Sequence, residues 1–265
     1  MGRPLSVTED EITRMVDQQT LASFYPHRSP IFRFFWPFTH AVITNITVTL
    51  GYFFFFLLNK TIVAGREYVP RGPNTLLMSN HQTMIDSFLV GLSVYYPESL
   101  IRPGLIPWNP AAEENLYKTP LVGWLADNWK CIPVKRGRKD VSAIYKIGKA
   151  LRFGPVLLFP EGTRSRSGEI SDGRGGAGLM ILETNPTVVP VCIDGMDQVL
   201  PIGSSWPRIF RRIHVRFGKP VDLSEFQGRE KNRETAKLVM HTIMDRIRIL
   251  KEEIEESKKQ LQPAG

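Results

Sequence analysis

After residue 60 the chain reads as short apolar runs of strand length separated by stretches with helical spacing. The runs at 74–79 (NTLLMS), 130–134 (KCIPV), 155–159 (PVLLF) and 187–193 (TVVPVCI) predict buried strands, and 212–217 (RIHVRF) predicts another. Between them, 86–97, 120–128, 140–152 and 176–184 have the spacing of helices. This alternation predicts an α/β fold with a mostly parallel central sheet flanked by helices. From Arg229 to Gln262 a long charged helix is expected, with Ala236, Met240, Ile243, Ile247, Leu250 and Ile254 as the stripe that docks on the sheet.

Before residue 60 the pattern differs. Residues 6–24 predict a helix with weak amphipathicity, started by Ser6 or Thr8 with acidic residues in its first turn. From Phe38 to Leu58 no charge interrupts 21 residues, and eight of the fifteen Phe fall between Ile31 and Leu58. That length would cross a bilayer core of about 30 Å at about 1.5 Å per residue. Thr39, His40, Thr44, Asn45, Thr47 and Thr49 dilute its first half, and basic residues flank both ends. A helix or hairpin lying in one leaflet is therefore expected ahead of a full span or a buried core helix. The segment is too aromatic and too far along the chain to be a cleaved signal peptide. Two regions follow: a membrane-associating helical segment over 1–60 and an α/β domain over 61–265.

Composition narrows the partners. Across 265 residues, 42% hydrophobic and 23% charged is the make-up of a globular chain and excludes a disordered one. Thirty-four Lys and Arg against 26 Asp and Glu give a formal charge of +8, which favours a polyanionic partner. The basic runs KRGRK and PRIFRRIHVR would suit nucleic acid. Beside a Phe-rich segment, an anionic lipid surface is the simpler partner, and no nucleic acid is expected. Cys131 and Cys192 are too few for a disulfide framework and are expected in the core.

The chemistry concentrates after two predicted strands. NTLLMS runs into Asn80-His81-Gln82-Thr83-Met84-Ile85-Asp86 at the start of a helix. Ligands of open α/β sheets bind at the carboxyl ends of strands. Asp86 can fold back to accept a hydrogen bond from Nδ1–H of His81 and leave Nε2 as a base. PVLLF ends in Pro160-Glu161-Gly162-Thr163-Arg164-Ser165. There glycine permits close backbone approach, and arginine offers a donor fork for phosphate or carboxylate. A blander arrangement would pair Glu161 with Arg164 in a surface loop.

NHQTMID followed by FPEGTRS resembles the glycerolipid acyltransferase family, of the lysophosphatidate acyltransferase type. CIPVKRGR, with Arg136, resembles that family's arginine block, and TVVPVCIDG, with Pro190, its valine-proline strand; together the likeness runs over about 61–222. The resemblance implies that His81 takes a proton from an acceptor hydroxyl and that Asp86 orients the ring. Glu161 and Gly162 would shape the acceptor site, Thr163 and Arg164 would hold phosphate, and Arg136 would be a second anion contact. Amides near Gly162 are expected as oxyanion donors. The implied donor is acyl-CoA or acyl carrier protein, and the acceptor a lysophospholipid, with lysophosphatidate leading. No metal or bound cofactor is implied. With a thioester donor and no disulfides, the cytoplasmic face of the (inner) membrane is the expected location.

The chain departs from the family in three places. Thr83 stands where serine is usual, Lys135 where aspartate is frequent, and Glu113 and Glu114 where lysines are usual, with Lys118 a turn away. The acidic pair keeps a different lysophospholipid or lyso-aminolipid acceptor in view. A thioester hydrolase, with His81 activating water, and a non-catalytic membrane module are rival functions. Gly173-Arg174-Gly175 and Gly178 match a dinucleotide fingerprint by letters but follow a polar run rather than a strand, so the fingerprint is set aside. In family terms Arg174 occupies a lysine position and is an anion-contact candidate.

Overall fold

A computed structural model describes residues 18–135, 141–165 and 169–260. The expected helix from Ser6 onward enters this range only at Gln18–Phe24, which is α1. Helix α2 (Pro30–Tyr52) begins where Ser29 Oγ accepts the Phe32 N–H and Pro30 occupies the first turn, where its missing N–H costs nothing. A wider turn, Phe53–Leu58, continues it to Asn59.

The central sheet has five strands. They are β1 (Lys60–Ala64), β2 (Thr75–Ser79), β5 (Val156–Leu158), β6 (Thr187–Asp194) and β7 (Arg212–Phe217), in the order β1-β7-β6-β2-β5. Three of its four pairings are parallel; β6 and β7 run antiparallel. Strands β3 (Asn109–Ala112) and β4 (Cys131–Val134) form a parallel pair of their own. A bridge between Trp108 and Val156 joins that pair to β5, with Leu157 N–H donating to the Trp108 carbonyl at 2.8 Å.

Helices cover both faces. In chain order they are α3 (Asp86–Tyr95), α4 (Glu113–Leu116), α5 (Pro120–Asn128), α6 (Val141–Ala150), α7 (Gly175–Thr184), α8 (Met196–Val199) and α9 (Arg233–Gln260). The stripe expected on the last of these is buried as read, from Ala236 to Ile254, and packs against β6 and α7. Its closest approach needs a glycine: a Cβ on Gly178 would lie 2.2 Å from the Ala236 carbonyl oxygen. Gly176 likewise makes room for Ile144. Packing against the last helix therefore accounts for two of the three glycines that imitate a dinucleotide loop, Gly173 against Met240 and Gly178 against Ala236. Both cysteines are buried, and burial pushes each thiol up to about 12.

Several polar residues of the apolar N-terminal segment have partners in the domain. Trp36 Nε1 donates to the Asp127 carbonyl (3.1 Å), Thr39 Oγ1 to Asn128 Oδ1 (2.7 Å), and His40 Nδ1 to the Asn128 carbonyl (2.7 Å). Trp129 Nε1 donates to Thr47 Oγ1 at 2.9 Å. One face of α2 is thus spent on the end of α5. The opposite face, including Ile31, Phe34, Phe38, Val42, Ile46 and Leu50, is exposed. Leu21, Phe24, Tyr25 and Trp36 lie in the same core as Leu76, Met78, Trp108 and Val156.

Two charged groups are buried where α5 gives way to β4, and the first of them ties the N-terminal region to the domain. Asp127 is fully buried; it accepts Arg28 Nε at 2.6 Å and the Tyr117 hydroxyl at 2.6 Å, and His27 Nε2 lies 3.0 Å away. Lys130, also buried, donates to the carbonyls of Gly104 (2.7 Å) and Ile106 (3.0 Å) over the Trp108 ring. Desolvation lowers the Lys130 ammonium to about 7.

Candidate active site

Parallel pairing of β2 with β5 puts Met78 beside Leu158, so the residues that follow each strand leave the sheet side by side. Asn80 is anchored first. Its side chain accepts the Ile193 N–H (2.7 Å) and donates to the Ile193 carbonyl (2.9 Å), which locks the turn to β6. Gln82 Oε1 accepts the Met196 N–H at 2.9 Å. His81 is thereby held at the sheet edge between two buried amides.

Asp86 opens α3 and is fully buried. Its Oδ2 lies 3.0 Å from His81 Nδ1 and accepts the N–H groups of Gln82 (2.6 Å) and Thr83 (2.8 Å). Its Oδ1 accepts the Thr83 hydroxyl at 2.5 Å. Donors on both oxygens satisfy the buried carboxylate, and together they leave it one orientation. Opposite the carboxylate, Nδ1 carries the ring proton, and Nε2 has no partner among the described residues. The imidazole stacks on Phe159 with centroids 4.1 Å apart, and its side chain is 20% exposed, enough to meet a substrate from one side.

The second segment wraps the first. Glu161 is buried; its Oε1 accepts the His81 N–H (3.0 Å) and its Oε2 accepts the Ser171 hydroxyl (2.9 Å) and N–H (3.3 Å). The Ser165 N–H donates to the His81 carbonyl at 2.8 Å. His81 is therefore gripped on both sides of its backbone by one loop. Among the described residues Glu161 and Arg164 do not pair, so the bland surface-loop arrangement does not form. Arg164 is half-buried and has no carboxylate partner among the described residues, while Thr163 is exposed.

Gly162 has φ +68°, and a Cβ there would meet the Arg174 side chain at 2.5 Å. A glycine is required both by the backbone and by the guanidinium lying against it. Its own N–H donates to the Phe159 carbonyl (3.1 Å). Arg174, itself exposed, thus brings a second guanidinium to the loop. Arg136 lies outside the described residues.

Sequence reasoning missed Ser171, which braces Glu161, and Phe159, which carries the His81 ring. The period-2 alternation of a strand could have placed Phe159; nothing in the spacing points to Ser171. Glu113 and Glu114 open the short α4. Between α2 and α3 an apolar recess opens, lined by Val48, Phe88, Leu92, Ile106, Trp129 and Leu157 among others. Among the described residues no three His, Cys, Asp or Glu side chains converge to hold a metal ion.

Comparison with known proteins adds a family. The model of the family described as Acyltransferase matches residues 60–194. The 1-acyl-sn-glycerol-3-phosphate acyltransferase of Arabidopsis thaliana chloroplasts is 25% identical over 186 residues, 69% of this chain and 48% of its own. The chloroplast enzyme of that name in Brassica napus is 26% identical over 209 residues, 76% of this chain and 57% of its own. The one in Borreliella burgdorferi is 30% identical over 137 residues, 51% of each. The chain spans about half the length of these curated relatives. The crystal structure of the 1-acyl-sn-glycerophosphate acyltransferase from Thermotoga maritima superposes with a TM-score of 0.58 at 21% identity, over 91% of this chain and 93% of that one, and shares the fold. The family match covers just over half of the 265 residues and contains both polar segments of the site, so the chain belongs to the acyltransferase family.

Proposed function

We propose that this protein moves a fatty acyl group from a thioester, acyl-CoA or acyl carrier protein, to the free hydroxyl of lysophosphatidate, forming phosphatidate. The observation that carries the reading is the His81–Asp86 pair, with one ring nitrogen committed to a buried carboxylate and the other open. His81 Nε2 takes the acceptor's hydroxyl proton as the oxygen attacks the thioester carbonyl. Collapse of the tetrahedral adduct breaks the C–S bond, and the imidazolium returns its proton to the leaving thiolate. Asp86 stabilises that imidazolium in between. The nucleophile is the substrate's own oxygen, so the protein needs a base and two aligned substrates.

In this reading Arg164 and Arg174 hold the acceptor phosphate, joined by Arg136, and Glu161 positions His81 through its backbone. The recess between α2 and α3 takes an acyl chain, since it starts one turn from Asp86 on the same helix. The outward stripe of α2 lies in one leaflet on the cytoplasmic side. The bonds that hold α2 to the domain from Trp36 to Thr47 support a helix lying along the surface over one that stands clear across a bilayer.

Thiol release from palmitoyl-CoA by the purified chain in detergent tests the proposal. Release that requires lysophosphatidate supports it. Release only with lysophosphatidylcholine, lysophosphatidylethanolamine or a lyso-aminolipid reassigns the acceptor and gives Glu113 and Glu114 a role. Release without acceptor means hydrolysis.

A further inference from the structure

A second apolar surface stands at the end of α2. The segment between α8 and β7 carries Trp206, 83% exposed, and Phe210, 79% exposed. Aromatic side chains of this size are seldom left in water without a partner to cover them. The segment is also firmly built. Arg208 N–H donates to the Val199 carbonyl (2.7 Å), Phe210 N–H to the Leu58 carbonyl (2.9 Å), and Arg211 N–H to Asn59 Oδ1 (2.9 Å). Phe210 is held at φ +60°, a conformation disfavoured for an aromatic residue. Two of those three bonds reach Leu58 and Asn59, so the Phe210 backbone is tied to the end of the turn that continues α2, where Leu57 is exposed.

Charge completes the picture. No carboxylate occurs between Asp197 and Asp222. Arg208 and Arg211 are exposed and form no ion pair among the described residues. Aromatic rings that prefer the headgroup boundary, with arginines that prefer lipid phosphate, are a combination suited to an anionic bilayer surface.

We propose that the 202–211 loop is a second lipid contact, with Trp206 and Phe210 seated at the headgroup boundary and Arg208 and Arg211 on anionic lipid phosphates. The proposal rests on the reading that the α2 stripe lies in one leaflet. A lone helix stripe leaves the domain's roll about the helix axis loosely set. The loop, anchored through β7, supplies a second point and sets which way the His81 edge faces.

The test uses the full chain and vesicles of phosphatidylcholine with and without phosphatidylglycerol. Arg208→Gln with Arg211→Gln should lower binding to the anionic vesicles about 25-fold, at about fivefold per arginine near an anionic surface, and leave neutral vesicles unaffected. Trp206→Ser with Phe210→Ser should weaken binding to both. A polarity-sensitive dye on Trp206→Cys should shift to the blue when vesicles are added. Turnover of detergent-dispersed substrates should stay at the wild-type level in every variant. Wild-type affinity in the variants, or a dye that stays in water, overturns the loop contact alone. Failure of the unmodified chain to bind either vesicle overturns the leaflet reading with it. Loss of nucleic-acid binding without loss of lipid binding would make the loop a nucleic-acid contact instead and overturn the proposal.

Discussion

Glu161 Oε1 accepts the backbone N–H of His81 at 3.0 Å, across eighty residues of sequence. A carboxylate that braces a main chain acts on the rate through the position of the imidazole rather than through the substrate. Glu161→Gln turns one end of that acceptor into an NH₂ facing either the His81 N–H or the Ser171 donors. Leaving such a buried donor unmatched costs about 1–3 kcal/mol. The variant should unfold at lower denaturant and lose kcat, while the acceptor KM stays put. A raised KM with unchanged kcat would make Glu161 a substrate contact.

His81→Ala should cut transfer by about 10² to 10⁴-fold with the fold intact by circular dichroism. Asp86→Asn should also slow transfer and in addition lower stability. An amide has one acceptor oxygen for the several donors that now converge on the carboxylate, and it cannot stabilise an imidazolium. Steady-state rates beside denaturation curves separate the two effects.

Arg164 is half-buried and has no carboxylate partner among the described residues, which suits the phosphate contact proposed for it. Arg164→Ala should raise the lysophosphatidate KM about 10- to 100-fold, the worth of a charge-assisted bond of about 1.5–3 kcal/mol. Arg164→Lys should recover only part, because a point charge replaces a fork. An unchanged KM would remove Arg164 from the phosphate site.

Lys130 makes stability depend on pH. Its ammonium is lowered to about 7, whereas in the unfolded chain it keeps the ordinary value of 10.5. Between those limits the unfolded chain binds a proton that the folded chain does not. Stability should therefore rise as pH climbs from about 7 toward the ordinary lysine range, and level off above it. Chemical denaturation at about pH 7 and about pH 9 should show the rise, and Lys130→Met should flatten it.

Gly178→Ala should destabilise by about 1–3 kcal/mol, since a Cβ 2.2 Å from a backbone oxygen forces α7 away from α9. A neutral result in thermal melts would mean that the crossing can relax.

What was legible in the sequence had local causes. The apolar runs of β2, β5 and β6 announce themselves because buried parallel strands need unbroken side-chain burial. Lys60–Ala64 hides behind the Phe-rich segment, and Asn109–Ala112 carries a proline and small residues that any loop could hold. Three of four sheet pairings follow the parallel pattern, but the antiparallel β6–β7 pair has no signature in either strand alone. The His81–Asp86 contact was readable because five residues at a helix start can close on themselves. The grip of Glu161 and Ser165 on His81 joins distant segments and needed coordinates. So did the meaning of Thr39, His40, Thr44 and Thr47, which read as impurities in a membrane helix and are its docking face.

That docking face bears on how the protein can be handled. Truncating the chain at Lys60, the obvious route to a detergent-free sample, would remove Leu21, Phe24, Tyr25 and Trp36 from the core that also holds Trp108 and Val156. It would also leave the carbonyls of Asp127 and Asn128 without their donors. The greasiest segment is thus half interior. A soluble version has to be reached by repainting its outward side, from Ile31 to Leu57, with polar residues, and not with scissors.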